Sequence, residues 1–471
     1  MKIRHKEIET TEENPFANCK LERECYAKVL SGIVSTYAEG FVLAINNEWG
    51  TGKTTFVKMW EQTLRKDGFQ TVYFNAWEND FDNNPLVALM SELKTLLNDK
   101  NDIIFKSVVE KGAILAKNVL PALLRSVLKT YTGIDADMFV EGVENVTKGA
   151  TEILEKEITE YTTKKKTVLE FRDELEKFIK EAGADKPLVF FIDELDRCRP
   201  NYAVEVLEQV KHFFSVPGIV FVLSIDKRHL ASSIKGYYGS ESINTDEYLR
   251  RFIDLEYSIP KPSTMSFCGY LYDYYSFGDF FSSQARKRYG EFGGDAQTFF
   301  AMAELLFDRS NATLRQQEKM LMLTRLVLSS FQSNQYIYPR LLFILVYLKT
   351  MKNQLYEGIR NNIYSLQELC DIFEDFLLPF DVSNKNIYCL SHVVALLLLF
   401  YNNNQKHRNK KEELFHTDPD GRYICLIKSK FGEDNLSECL NHMRNHRDYF
   451  METGLDYLLN KIDLIEPIQN N

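Results

Sequence analysis

The feature that most constrains this chain is a junction between an apolar run and a glycine–lysine turn. Phe41 to Ile45 are five apolar residues, a strand's length, and they lead straight into Asn46, Asn47, Glu48, Trp49, Gly50, Thr51, Gly52, Lys53, Thr54 and Thr55. The residues that follow, Phe56 to Trp60, have helical spacing. A strand, a glycine-containing loop ending in Gly-Lys-Thr, and a helix are the parts of a phosphate-binding loop, in that order. The backbone N–H groups of such a loop wrap phosphate oxygens, and the helix N-terminus adds its dipole. Lys53 is then placed to reach the β- and γ-phosphates, and Thr54 to coordinate Mg²⁺. Gly50 and Gly52 bring backbone close to the ligand without a Cβ. The usual pattern has glycine where this chain has Asn47; asparagine tolerates left-handed backbone, so the turn is expected to survive.

Two more apolar runs end in complementary chemistry. Leu188 to Ile192 are continuously apolar and lead into Asp193, Glu194, Leu195, Asp196 and Arg197, as expected of a parallel strand buried on both faces. Ligands bind at the C-terminal ends of such strands, so Asp193 and Glu194 are expected beside the loop. Asp193 would hold Mg²⁺ through water, and Glu194 would polarise the attacking water as general base. Ile219 to Ile225 form a third strand, with Ser224 and Asp226 as γ-phosphate sensors. Together these runs predict an α/β P-loop NTPase core: a parallel sheet with helices on both faces.

Composition describes the remainder. The 471 residues include only 22 glycines and 12 prolines, well under the roughly 12% of average usage. That argues against linker-dominated and turn-rich all-β chains and for helices outside the core. A net charge of −10 excludes a globally basic nucleic-acid surface. The Lys406–Lys411 run reads as a solvated loop, and nucleic-acid binding is left open. Eight scattered cysteines without CxxC spacing read as reduced thiols, and Met1 to Glu13 lack a signal-peptide pattern, so a cytoplasmic location is expected. The apolar stretches Ala113–Leu128 and Ile387–Tyr401 are shorter than a span requires, or interrupted by charge and proline, and read as core helices. Cys425, Cys439, His442 and His446 match no common zinc spacing.

The segments Glu48–Thr54, Phe74–Trp77, Phe191–Cys198 and Val222–Lys227 together resemble the KAP family of P-loop NTPases, a branch of the STAND and AAA+ grouping. The resemblance covers roughly residues 15–350. It implies an ATPase with Lys53, Thr54 and Asp193 on ATP·Mg²⁺, and Glu194 or Asp196 near the water. It also implies an arginine finger at Arg250 or Arg251, acting on a neighbouring subunit's nucleotide, and Arg340 as a sensor on a helical lid. Many family members insert membrane helices between the two nucleotide-binding segments. Here the chain between Phe74 and Leu188 far exceeds the ~30 residues a crossover needs. It reads instead as soluble helices, with Val168, Phe171, Leu175, Phe178 and Ile179 on one face and Gly183 as the stop.

The expected organisation is a core over 1–97 and 183–260, a helical insertion over 98–182, a helical lid over 261–351 and an α-helical C-terminal domain over 352–471. The expected activity is ATP hydrolysis coupled to homo-oligomer assembly, with an effector protein as partner. The resemblance adds defence against phage or mobile elements as a setting. A nucleotide-gated scaffold with negligible hydrolysis is the alternative. A small-molecule kinase would need neither this length nor the Asp193–Arg197 segment.

Overall fold

The computed structural model describes residues 11, 13–37, 39–82, 84–97, 101–118, 149–182, 186–380, 387–406, 411–419, 423–445 and 453–463. Gly183, residues 119–128 of the first apolar stretch, His446 and residues 407–410 of the basic run lie outside these. The chain forms two compact units, Glu7–Lys261 and Pro262–Asn471.

The first unit is built on five parallel strands: β1 (Val42–Asn46), β2 (Thr71–Asn75), β3 (Leu188–Asp193), β4 (Ile219–Ile225) and β5 (Leu255–Tyr257). Their spatial order is β2-β3-β4-β1-β5. Every residue of β3 and β4 is buried, which is why both read as unbroken apolar runs rather than alternating ones. Leu43, Ile45, Val189, Phe191, Val220 and Val222 face one layer, formed by α1 (Glu24–Thr36) and α2 (Lys53–Lys66). Phe74, Phe190, Ile192, Phe221 and Leu223 face the opposite layer. That layer contains α3 (Pro85–Leu93), then α4 (Asp102–Asn118) and α5 (Gly149–Ala182) of the insertion, then α6 (Pro200–His212) and α7 (Lys227–Tyr238). A short helix, α8 (Thr245–Leu249), precedes β5. Phe171, Leu175, Phe178 and Ile179 of α5 are buried in the shared core, packed with Phe105 and Val108 of α4. Apolar periodicity on the insertion therefore serves packing against the sheet side of the fold.

Strand register sets the functional edge. Asn75 pairs with Asp193, Asp193 with Ser224, and Ile45 with Ser224. The C-terminal residues of four strands therefore share one rim. The phosphate-binding strand and the Asp193 strand are not neighbours; β4 lies between them, carrying Ser224 to the same rim.

The second unit is helical: α9 (Thr264–Tyr274), α10 (Phe277–Phe281), α11 (Gln284–Lys287), α12 (Asp295–Arg309), α13 (Leu314–Leu328), α14 (Pro339–Met351), α15 (Asn353–Arg360), α16 (Leu366–Leu377), α17 (Ile387–Lys406), α18 (Glu433–Asn445) and α19 (Asp456–Asp463). Leu341 to Leu348 of α14 are all buried, and Phe343 meets the Phe299 and Phe307 rings of α12 edge-on at 5.3 and 5.5 Å. An antiparallel pair, β6 (Phe415–Thr417) and β7 (Tyr423–Cys425), lies within a region expected to be mainly α-helical. These strands are three residues each, too short to leave a periodic signal. Among the described residues, one helix (Ile387–Gln405) is long and apolar enough to cross a membrane, and 78% of its apolar window is buried inside the structure.

Candidate nucleotide-binding and catalytic site

The loop between β1 and α2 uses its glycines as the sequence requires. Gly50 and Gly52 have φ of 77° and 79°, left-handed values that a side chain disfavours. Asn47, expected to absorb the missing glycine by turning left-handed, does not have positive φ. Its side chain instead makes a reciprocal pair with Ile259, Nδ2 donating to the carbonyl at 2.8 Å and Oδ1 accepting from the N–H at 2.9 Å. Asn47 thus fastens the start of the loop to the segment beyond β5.

Lys53 opens α2 with its ammonium folded back over the loop, donating to the carbonyls of Asn47 at 2.5 Å and Glu48 at 3.2 Å. It is buried, and burial lowers its pKa against the opposing pull of Asp196, Asp226 and Asp193. Three carboxylates thus place one ammonium in their field. Thr51 caps the turn by donating to the Glu48 carbonyl at 2.8 Å, while Thr54 and Thr55 occupy the first turn of α2, half-buried.

Asp193 ends β3 almost wholly buried. Its two oxygens accept from the Glu194 N–H and the Tyr73 hydroxyl, both at 2.9 Å. The Ser224 hydroxyl, paired with it in register, is buried with no hydrogen-bond partner. An orphaned hydroxyl beside a buried carboxylate and a lysine suits an oxygen-rich ligand such as a metal-bound triphosphate, because a buried polar group without a partner is costly. The residues present therefore fit Mg²⁺-nucleotide. Asp226, expected as a γ-phosphate sensor, serves as N-cap of α7, accepting from the Arg228 N–H at 3.1 Å.

Glu194 stands on left-handed backbone, φ 60°, a conformation uncommon for a residue that carries a side chain. Its carboxylate is 2.8 Å from Arg197 and accepts from Asn75 at 3.3 Å. Burial raises its pKa, with the Arg197 guanidinium opposing. Burial likewise raises that of Asp196, which accepts from the Trp49 indole N–H. Trp49 stacks on His229, ring centres 3.6 Å apart and planes 5° from parallel, and Glu48 pairs with Arg228 at 3.3 Å.

Sequence reasoning missed Arg23, Tyr73, Asn75, Arg197 and His229. Arg23 is buried and donates to the carbonyls of Thr51 at 2.8 Å and Gly52 at 3.1 Å. It lies well upstream of the loop it braces, so no local spacing signals it. Tyr73 and Asn75 lie in β2 beside the Phe74–Trp77 segment, and Arg197 lies within the acidic segment; both regions were visible as motifs without the roles. Arg250 and Arg251 are exposed just after α8, Arg250 pairing with Glu247 at 3.6 Å. Arg340 belongs to the second unit, in the first turn of α14.

A parallel sheet with this loop at a helix N-terminus, and an Asp-Glu pair at the same rim, defines a nucleotide-binding P-loop NTPase. Within that class the chain belongs to the KAP family, whose P-loop domain matches residues 23–332. An uncharacterized protein of Methanocaldococcus jannaschii is 31% identical over 180 residues, covering 33% of this chain and 89% of the relative. Solved structures give looser likenesses. The Aeropyrum pernix ORC2 protein, in ADPNP–ADP complexes, is 13% identical with a TM-score of 0.32, over 94% of this chain and 93% of that one. Cdc6p from Pyrobaculum aerophilum is 12% identical with a TM-score of 0.28, over the same shares.

Proposed function

We propose that this protein binds ATP·Mg²⁺ and hydrolyses ATP as a nucleotide-driven assembly switch. The observation that carries hydrolysis is Glu194, a half-buried carboxylate next to Asp193 at the rim, made more basic by burial. Lys53 would leave the loop carbonyls for the β- and γ-phosphates. Thr54 and Asp193 would hold Mg²⁺, which neutralises charge on the phosphate oxygens when bound. Ser224 would donate its free hydroxyl toward the same centre, and Arg23 keeps the Thr51–Gly52 backbone fixed while the loop fills. Arg250 or Arg251 would reach a neighbouring copy, and Arg340, on a lid over 261–351, would register the bound nucleotide.

A second reading, a scaffold with negligible hydrolysis, is favoured by one observation: both oxygens of Glu194 already have partners, Arg197 and Asn75. Glu194→Gln separates the two. A switch would accumulate in its ATP-bound assembled form, seen as a rise in mass with ATP·Mg²⁺ that persists over time. A scaffold would keep the same mass and the same slow phosphate release as the unmodified chain. The setting proposed is defence against phage or mobile elements, tested by whether protection of host cells disappears with Lys53→Ala.

A further inference from the structure

Arg197 occupies a seat that its pairing with Glu194 alone does not require. An exposed ion pair three residues apart contributes little. Here the two side chains are only 26% and 13% exposed, and the guanidinium lies 6.0 Å from the Trp49 ring centre and 5.5 Å from that of Trp77. Two indoles within cation–π range fix a planar cation in one orientation.

Both walls of the seat are tied to the site. Trp77 follows β2, and its backbone N–H donates to Asn75 Oδ1 at 3.1 Å. The Nδ2 of the same Asn75 donates to Glu194 at 3.3 Å, so one amide joins a wall of the seat to the carboxylate the seat serves. Trp49 is a residue of the phosphate-binding loop itself. Its neighbour Glu48 offers the carbonyl that takes Lys53 and Thr51, while its own indole is held by Asp196 and His229. Glu48 is therefore linked through Trp49 to Arg197, and Arg197 to Glu194.

We propose that Arg197 is a positioning residue for Glu194, and that Trp49 makes this positioning depend on the state of the phosphate-binding loop. The inference rests on the reading of Glu194 as general base. The guanidinium fixes one carboxylate oxygen and Asn75 the other, so the carboxylate plane is set before water and nucleotide arrive. A group whose work is orientation affects turnover far more than binding.

The test is steady-state phosphate release by the full chain with ATP·Mg²⁺, using Arg197→Met, Arg197→Lys and Trp49→Phe, with Arg197→Met also made in a Glu194→Gln background. Arg197→Met should lower kcat about 10–100-fold and move KM by less than about threefold. Arg197→Lys keeps the charge but not the planar fork and should recover only part of the loss, leaving kcat about 3–10-fold low. Trp49→Phe, which keeps a ring but loses the indole N–H, should cost about 3–10-fold in kcat. In the Glu194→Gln background Arg197→Met should change kcat by less than about twofold, because the group it positions is gone. An unchanged kcat in Arg197→Met, or an equal loss in both backgrounds, overturns the positioning role while Glu194 remains the base. Wild-type turnover in Glu194→Gln alone overturns the base and this proposal with it. If Arg197→Met does not fold, Arg197→Lys and Trp49→Phe decide: wild-type kcat in both overturns the proposal.

Discussion

The two units handle buried charge in opposite ways. In the helical unit the buried charges Arg286 and Glu374 each have dedicated partners. Arg286 is 1% exposed, bonds Asp295 and the Ser333 and Gln335 carbonyls, and lies over the Phe280 and Phe292 rings. Glu374 is fully buried and accepts from the Ser429 hydroxyl at 2.5 Å and the Lys430 N–H at 2.6 Å. Asp463 takes Lys349 at 3.0 Å and the Tyr356 hydroxyl at 2.8 Å. At the rim of the sheet, by contrast, one lysine lies in the field of three carboxylates, and the Glu194 carboxylate sits on left-handed backbone.

The largest effect that sharpens this contrast is Glu194→Gln, which removes a half-buried charge in exchange for an isosteric amide. Turnover should fall by about 10²–10⁴-fold, measured as phosphate release, while the melting temperature holds or rises. A clear drop in melting temperature would place Glu194 among the structural ties. Next is Arg286→Met, which leaves Asp295 partly buried and without its guanidinium partner. It should destabilise the second unit by about 3–5 kcal/mol in denaturant unfolding, with nucleotide affinity measured alongside and unchanged; a loss under about 1 kcal/mol would show that the closed pairs are dispensable.

A smaller effect concerns Glu208 on α6, buried with the Tyr248 hydroxyl as its partner and not part of the rim. Burial, reinforced by Glu205 and opposed by the Tyr248 hydroxyl, pushes its pKa up to about 7. The folded state then binds the proton more tightly than the unfolded chain, so its contribution is fully present below the unfolded carboxyl pKa near 4.5 and lost as pH rises to about 7. Glu208→Gln should therefore match wild type at pH ~4 and exceed it at pH ~8 by on the order of 2–3 kcal/mol. An equal gain at both pH values would remove titration as the cause.

How much of this was legible in the sequence follows from the range over which each feature is determined. β1, β3 and β4 were readable because burial on both faces writes a continuous apolar run, and the chemistry at their ends lies in the same few residues. Lys53, Asp193 and Glu194 were assigned to one edge on that basis, and the register brings Asp193 and Ser224 side by side. The strand order was not readable, since β4 inserts between β1 and β3 through contacts that no local pattern encodes. The Arg23 brace and the Asn47–Ile259 pair also escaped, because each joins residues far apart in the chain. Asn47 is the instructive error. Its identity at a glycine position suggested a backbone role, and the structure gives it a side-chain one. In the helical unit the apolar runs announced helices, but the partners of Arg286 and Asp463 depend on packing between distant elements.

The central claim is that the phosphate-binding loop and the carboxylates opposite it form a working ATP-hydrolysing centre. The most direct measurement is phosphate release from ATP·Mg²⁺ by the purified chain and by Lys53→Ala, compared at equal folded fraction. The proposed function predicts turnover in the unmodified chain and a loss of at least about 10²–10³-fold in the variant. Equal rates in the two proteins would contradict it.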